Sequence, residues 1–156
     1  MRIGLISDTH GLLRPEAVAA LRGCDHIVHG GDICGAHVLD ELAEIAPVTA
    51  VRGNNDIGPW ADTLPERVTI KLGSIRLHVL HDLADLGIDP AKEGVRVVVT
   101  GHSHKPAVAE RNGVLYVNPG SAGPRRFKLP IALAELAIEK DAVKARIIAL
   151  SPGGSA

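Results

Sequence analysis

Seven residues carry side chains that bind metal ions and recur in short, glycine-marked motifs. They are Asp8 and His10 in D-T-H, Asp32 in H-G-G-D, Asn54 in G-N-N-D, His81 in L-H-D, and His102 and His104 in G-H-S-H. Two carboxylates, one amide oxygen and four imidazoles make a mixed oxygen and nitrogen donor set. Such a set suits Mn, Fe, Co or Zn better than Ca or Mg, and it has no thiolate to favour Cu(I). Seven donors are too many for one tetrahedral ion with an open position. They suit two ions, with one carboxylate on the central loop, Asp32, as the bridge. Two ions about 3.5–4 Å apart hold a hydroxide between them and bind both ends of an in-line displacement at phosphorus. The chemistry this pattern implies is hydrolysis of phosphate esters.

Each motif must be delivered by a strand end. Residues 3–7 form a short apolar run of the buried-strand kind, and D-T-H follows it directly. Residues 15–21 read as a helix with Pro15 in its first turn. Residues 26–29 are a second strand, ending at Asp32. Residues 36–45 place Val38, Leu39, Leu42 and Ile45 at helical spacing. Residues 48–51 are a third strand, ending at Asn54. Strand–helix–strand repeats build a parallel sheet with right-handed crossovers.

The second half reads as hairpins. Residues 68–72 and 75–80 flank Gly73-Ser74, and residues 108–111 and 114–117 flank Asn112-Gly113. Between them residues 95–100 are a continuous apolar strand. Residues 131–138 fit strand alternation only with a slip, and are expected to pair with 143–150 across Lys140-Asp141. The pattern predicts an α/β sandwich whose mixed sheet starts parallel and continues antiparallel. All seven donors would then meet at one edge of that sheet, where open α/β sheets build their sites. Gly30, Gly31, Gly53 and Gly101 are expected to permit tight turns and positive φ where strands become loops.

The chain has 156 residues, 46% hydrophobic, which fits one domain over 1–150 with a disordered tail at 151–156. Net charge is −1, so nothing suggests an electrostatic grip on nucleic acid or on an acidic membrane. The apolar start is too short for a secretory signal, and no stretch is long enough to cross a bilayer. Cys24 and Cys34 are the only cysteines, and both are expected to be reduced in a cytoplasmic protein. Aromatics are 2% of the chain, too few for a base-stacking platform, so the core must be aliphatic.

The motif order from Asp8 to His104 resembles the calcineurin-like metallophosphoesterases, and N-P-G-S at 118–121 followed by Pro124-Arg125-Arg126 resembles their small bacterial and archaeal phosphodiesterase branch. The resemblance covers essentially the whole chain. It implies a four-layer α/β/β/α sandwich with mixed parallel and antiparallel sheets. It implies that Asp8, His10, Asp32 and His104 bind one ion and that Asp32, Asn54, His81 and His102 bind the other. The cofactor would be two divalent ions, manganese first, with nickel, iron, cobalt or zinc as alternatives. The implied reaction is attack by a metal-bridging hydroxide on a small phosphate diester. A phosphomonoesterase with the same site, and a binding scaffold like the eukaryotic retromer subunit, are the rivals; a homo-oligomer is compatible with any of them.

Two positions depart from the family. Many members have His after the Asn ligand, as a general acid; here it is Asn55, which has no titratable proton. The His81 motif is often followed by Gly and His, but here by Asp82-Leu83. Asn54 and Asn55 are the candidate catalytic residues for charge on the phosphoryl oxygens, and Asp56 the candidate that orients a ligand. His26, His37 and His78 are read as structural, and His29 as a core residue or a neighbour of the ligands. Cys34 is a packing residue or a thiol beside the site. Arg125 and Arg126 either meet substrate phosphate or form a solvated loop.

Overall fold

A computed structural model of the chain describes residues 1–151, so most of the expected tail, 152–156, lies outside the described residues. The strands are β1 (Arg2–Ile6), β2 (His26–His29), β3 (Val48–Ala50), β4 (Arg67–Leu72), β5 (Ile75–Leu80), β6 (Val97–Val99), β7 (Ala107–Arg111), β8 (Val114–Asn118), β9 (Ala132–Glu139) and β10 (Ala142–Ala149). The helices are α1 (Pro15–Leu21), α2 (Ala36–Ala43) and α3 (Pro59–Asp62). The strands form two five-stranded sheets, ordered β10-β9-β1-β2-β3 and β4-β5-β6-β8-β7.

This corrects the expectation of one continuous sheet. Strand periodicity reports which face of a strand is apolar, not which sheet it joins. Each sheet is itself mixed. In the first, β1, β2 and β3 are parallel and β9 runs antiparallel beside β1. In the second, the parallel pairs β5–β6 and β6–β8 lie between two antiparallel hairpins.

The sheets pack face to face over Ile3, Leu5, Val28, Leu77, Val79, Val97, Val99, Val117, Leu136 and their neighbours. The alternate residues of the first sheet, Ile6, Ile27 and Leu133, meet Ala17 and Leu21 of α1 and Val38 and Leu42 of α2. Burying each such leucine contributes roughly 1.5–3 kcal/mol. Gly4 lets α1 sit this close: a Cβ there would run into Leu21 Cδ2 and lie 3.2 Å from Cys24 Sγ. The outer face of the second sheet is covered by Leu86 and Ile88 over Leu80, Val95 and Val98. This fourth layer of the sandwich contains only a 3₁₀ turn at Leu83–Asp85.

The slip expected in residues 131–138 is absent. β9 is a continuous strand whose first half is buried on both faces; Leu133 faces the helices while Leu136 and Ile138 face the other sheet. No described helix is long and apolar enough to cross a membrane.

Candidate metal centre

The carboxyl ends of β1, β2 and β3 in one sheet, and of β5 and β6 in the other, open at the same end of the sandwich. The loops after β1 and β2 continue the parallel pairing past the sheet. Asp8 N–H donates to Gly31 O at 3.0 Å, His10 N–H to Asp32 O at 3.0 Å, and Gly11 N–H to Ile33 O at 2.7 Å. Asp8, His10 and Asp32 are thereby locked in register. Gly101 N–H on His81 O at 2.9 Å joins the two loops of the second sheet, and His102 N–H on Asp8 Oδ2 at 3.1 Å ties them to the first.

Five of the seven proposed ligands converge. His104 Nε2 stands 3.4 Å from Asp8 Oδ1, and His81 Nε2 stands 3.3 Å from Asp32 Oδ2. His10 Nε2 is 3.9 Å from Asp8 Oδ1 and 3.8 Å from Asp32 Oδ2. Two donors that share one ion at about 2.0–2.2 Å stand roughly 3–4 Å apart in tetrahedral geometry. Two overlapping groups have this spacing, Asp8–His10–His104 and Asp8–Asp32–His81. Asp8 Oδ1, His10 Nε2 and His81 Nε2 are all buried and without a hydrogen-bond partner. Buried polar atoms of this kind are costly unless something else binds them. The residues of each group could hold a divalent cation.

The other polar atoms of Asp8 and His81 are engaged, whereas His104 Nδ1 is buried without a hydrogen-bond partner. Asp8 Oδ2 accepts from Ser7 Oγ at 2.7 Å, which leaves Oδ1 free. His81 Nδ1–H donates to Gly30 O at 2.8 Å, which fixes the tautomer with a lone pair on Nε2. Burial pushes the Asp8 carboxyl up. Burial would push Asp32 up as well, but the His81 imidazole beside it and the hydrogen bonds from Asn55 hold it well below the usual carboxylate range. Burial lowers His104. For His81 burial also lowers, but the Asp32 carboxylate beside it outweighs that and the imidazole ends above its ordinary value. The site thus concentrates negative charge that cations relieve.

Asn54 and His102 stand at the rim of this cluster. Both are exposed and line an adjoining cleft with Arg52, Arg67, His81 and Asp82. His102 is 47% exposed, its ring is 5.2 Å from that of His81, and its Nε2 is 3.7 Å from Asp82 Oδ2. The departure at Asp82 therefore places a carboxylate beside a proposed ligand.

Asn55 turns toward Asp32. Its backbone N–H donates to Asp32 Oδ1 at 2.9 Å and its side-chain N–H to Oδ2 at 3.0 Å. Asp56 is buried and accepts from four backbone N–H groups, those of Asp32, Ile33, Cys34 and Gly53, at 2.8–3.0 Å. Its carboxylate is spent on the shape of the Asp32 loop.

The glycines serve differently from the expectation. Of Gly30, Gly31, Gly53 and Gly101, only Gly31 has positive φ. Gly53 and Gly101 are needed for space: a Cβ would strike the Asp32 carboxylate from the first and Ser7 Oγ from the second. The positive φ falls on the ligands themselves. Among the described residues nine non-glycines have it, and five are Asp8, His10, Asp32, His102 and His104. Such backbone costs of order 1–3 kcal/mol per residue and persists where the surroundings impose it, commonly at functional sites.

His29 lies directly beneath. It is fully buried, Gly31 N–H donates to its Nδ1 at 3.1 Å, and its Nε2–H donates to Thr9 Oγ1 at 3.0 Å. His26, His37 and His78 bond to Thr49, Gly11 O and Thr69. Cys34 Sγ is 3.6 Å from His10 Nδ1, and Cys24 is also a free thiol, buried in the core under α1.

Sequence reasoning missed Ser7 and the role of N-P-G-S. Asn118 Nδ2–H donates to Gly101 O at 2.9 Å, Ser121 Oγ to Asp8 O at 2.9 Å, and Ala122 N–H to Ser7 O at 3.1 Å. This segment braces the loops of both sheets. Arg125 bonds to Leu129 O within its own exposed loop, while Arg126 acts on His104 through charge alone.

Residues 1–141 match the family model for the calcineurin-like phosphoesterase superfamily domain. A probable metallophosphoesterase of Methanothermobacter thermautotrophicus is 34% identical, over 95% of this chain and 92% of the relative. A phosphodiesterase of Methanocaldococcus jannaschii is 27% identical, over 77% and 83%. Among solved structures, Vacuolar Protein Sorting 29 from Cryptosporidium parvum superposes with a TM-score of 0.78 at 21% identity, covering 97% of this chain and 98% of the other.

Proposed function

The chain belongs to the calcineurin-like phosphoesterase superfamily, and on that premise we propose that it is a phosphodiesterase acting on small phosphate diesters with two divalent ions, manganese first. The observation that carries this reading is the cluster of buried, unpartnered donor atoms on Asp8, His10 and His81, with donors 3.3–3.9 Å apart. Asp8, His10, Asp32 and His104 would hold one ion, and Asp32, Asn54, His81 and His102 the other. When bound, such ions supply an activated water and positive charge around the phosphoryl group.

The chain's own residues set up the rest. Ser7 and the His102 N–H orient the Asp8 carboxylate. Gly30 O holds the His81 tautomer. The cleft beside Asn54 and His102 receives one ester group, where the Asn54 amide and the Arg52 and Arg67 guanidinium groups meet its oxygens. No imidazole stands at position 55, so ester groups that leave without protonation are favoured. The likeness to Vacuolar Protein Sorting 29 concerns the fold alone and does not favour a docking role.

The test is hydrolysis of bis(p-nitrophenyl) phosphate and p-nitrophenyl phosphate by metal-stripped protein, with Mn, Ni, Co, Zn and Mg added separately. The reading expects manganese-dependent cleavage, faster on the diester. Absence of hydrolysis with every metal, or a faster monoester reaction, contradicts it.

A further inference from the structure

We propose that Asn55 is a positioning residue that clamps the Asp32 carboxylate for two ions, and that its side chain is thereby withdrawn from the leaving group. The proposal rests on the two-ion reading of the site.

Asn55 touches both oxygens of one carboxylate. Its backbone N–H reaches Asp32 Oδ1 at 2.9 Å and its side-chain nitrogen reaches Oδ2 at 3.0 Å. The amide nitrogen must be the atom facing Oδ2, since an amide oxygen there would repel it. Oδ2 is also the oxygen that His81 Nε2 approaches at 3.3 Å and His10 Nε2 at 3.8 Å. A carboxylate has about four lone-pair directions. Asn55 thus takes one direction on each oxygen and turns Oδ2 toward His10 and His81, the side from which cations would be bound.

The clamp is one half of a reciprocal brace. Asp56, the next residue, accepts the backbone N–H groups of Asp32, Ile33 and Cys34. Five N–H hydrogen bonds therefore cross between the loop after β2 and the loop after β3, three one way and two the other. Asp56 fixes the backbone of the Asp32 loop, and Asn55 fixes the orientation of its side chain. Without Asn55 the Asp32 carboxylate keeps its place but loses the donor that sets its plane. An amide has no proton to lose near neutral pH, so this clamp holds at every pH where the metal binds. A group that also had to protonate a leaving oxygen would have to leave Asp32 in each turnover.

The experiment is calorimetric titration of the metal-stripped full chain with Mn²⁺, for wild type, Asn55→Ala and Asn55→Asp, alongside thermal unfolding of each protein without metal. Groups that orient metal ligands typically contribute about 10–100-fold in metal affinity. The clamp predicts a loss of that size in Asn55→Ala for both equivalents, with the metal-free unfolding temperature unchanged. It predicts a greater loss in Asn55→Asp, which sets a second carboxylate against Asp32. Wild-type affinity in both variants overturns the clamp, and so does a metal-free unfolding temperature that falls in step with affinity, which marks a merely structural turn. If the wild type itself binds no metal, the functional reading fails rather than the clamp.

Discussion

The proposed ligands fall into two halves, a deep group and a rim group, that the fold holds differently. In the deep half, Asp8, Asp32, His81 and His104 are buried and His10 nearly so, on loops hydrogen-bonded to one another. On the rim, Asn54 and His102 are exposed, and the nearest charged neighbour of His102 is the half-exposed Asp82. A rim side chain must be ordered when it takes an ion, at about 0.5–1.5 kcal/mol each. The deep half has met that cost in folding. On the proposed two-ion reading, the ion that depends on rim donors should therefore be held more weakly than the one held wholly by the deep group.

The largest expected effect comes from breaking the deep half. Asp8 Oδ1 faces His10, His81 and His104 at once. Asp8→Ala should lower kcat for an aryl diester by more than about a thousandfold, because the ions contribute several kcal/mol and each 1.36 kcal/mol is tenfold. The metal-free variant should unfold at the same temperature as wild type or higher, since it removes a carboxylate that burial destabilises. Retained activity at saturating manganese would show that the deep half is not the centre.

Next comes His102→Ala, which separates the halves. The tight equivalent should remain while the weak one loses affinity by roughly 10–100-fold, as read by calorimetry. Loss of both equivalents would mean that the halves act as one unit.

A third prediction uses pH. Burial holds His29, beneath the deep half, at about 3 rather than the ordinary 6.5. Between those values the unfolded chain binds a proton that the folded chain refuses. Stability of the metal-free protein should thus be fully present above about pH 6.5 and fall progressively toward pH 3. His29→Gln should flatten that slope by up to one proton in urea unfolding at stepped pH. An unchanged slope would mean that His29 is not the group responsible.

The smallest effect belongs to the rim. Asp82→Asn removes a partner that is 37% exposed from a histidine that is 47% exposed. Exposed pairs contribute about 0–1 kcal/mol, so steady-state rates should change less than about fivefold. A larger loss would make Asp82 part of the site.

The proposed ligands stood out in the sequence because each is a distinctive side chain placed directly after an apolar run. Periodicity alone did not say which strands share a sheet, since that depends on contacts between residues far apart in the chain; the two-sheet sandwich came from the family resemblance. β9 looked irregular because both faces of its first half are buried, and alternation vanishes where neither side meets water. The glycines were recognised but misattributed, since a residue type does not reveal whether it serves conformation or space. Asp56 and Asn55 sit in a stretch whose composition reads as a turn, and only the fold shows that they hold Asp32. The brace from Asn118 to Ala122 joins loops far away in sequence, beyond the reach of any local pattern.

The most direct measurement follows diester hydrolysis while Mn²⁺ is titrated into metal-stripped protein, with bound metal counted in the same samples. The account predicts that the first, tight equivalent leaves the protein nearly inactive and that rate rises with filling of the second, weaker site. Full activity after one equivalent, or two equivalents bound with equal affinity, would contradict it.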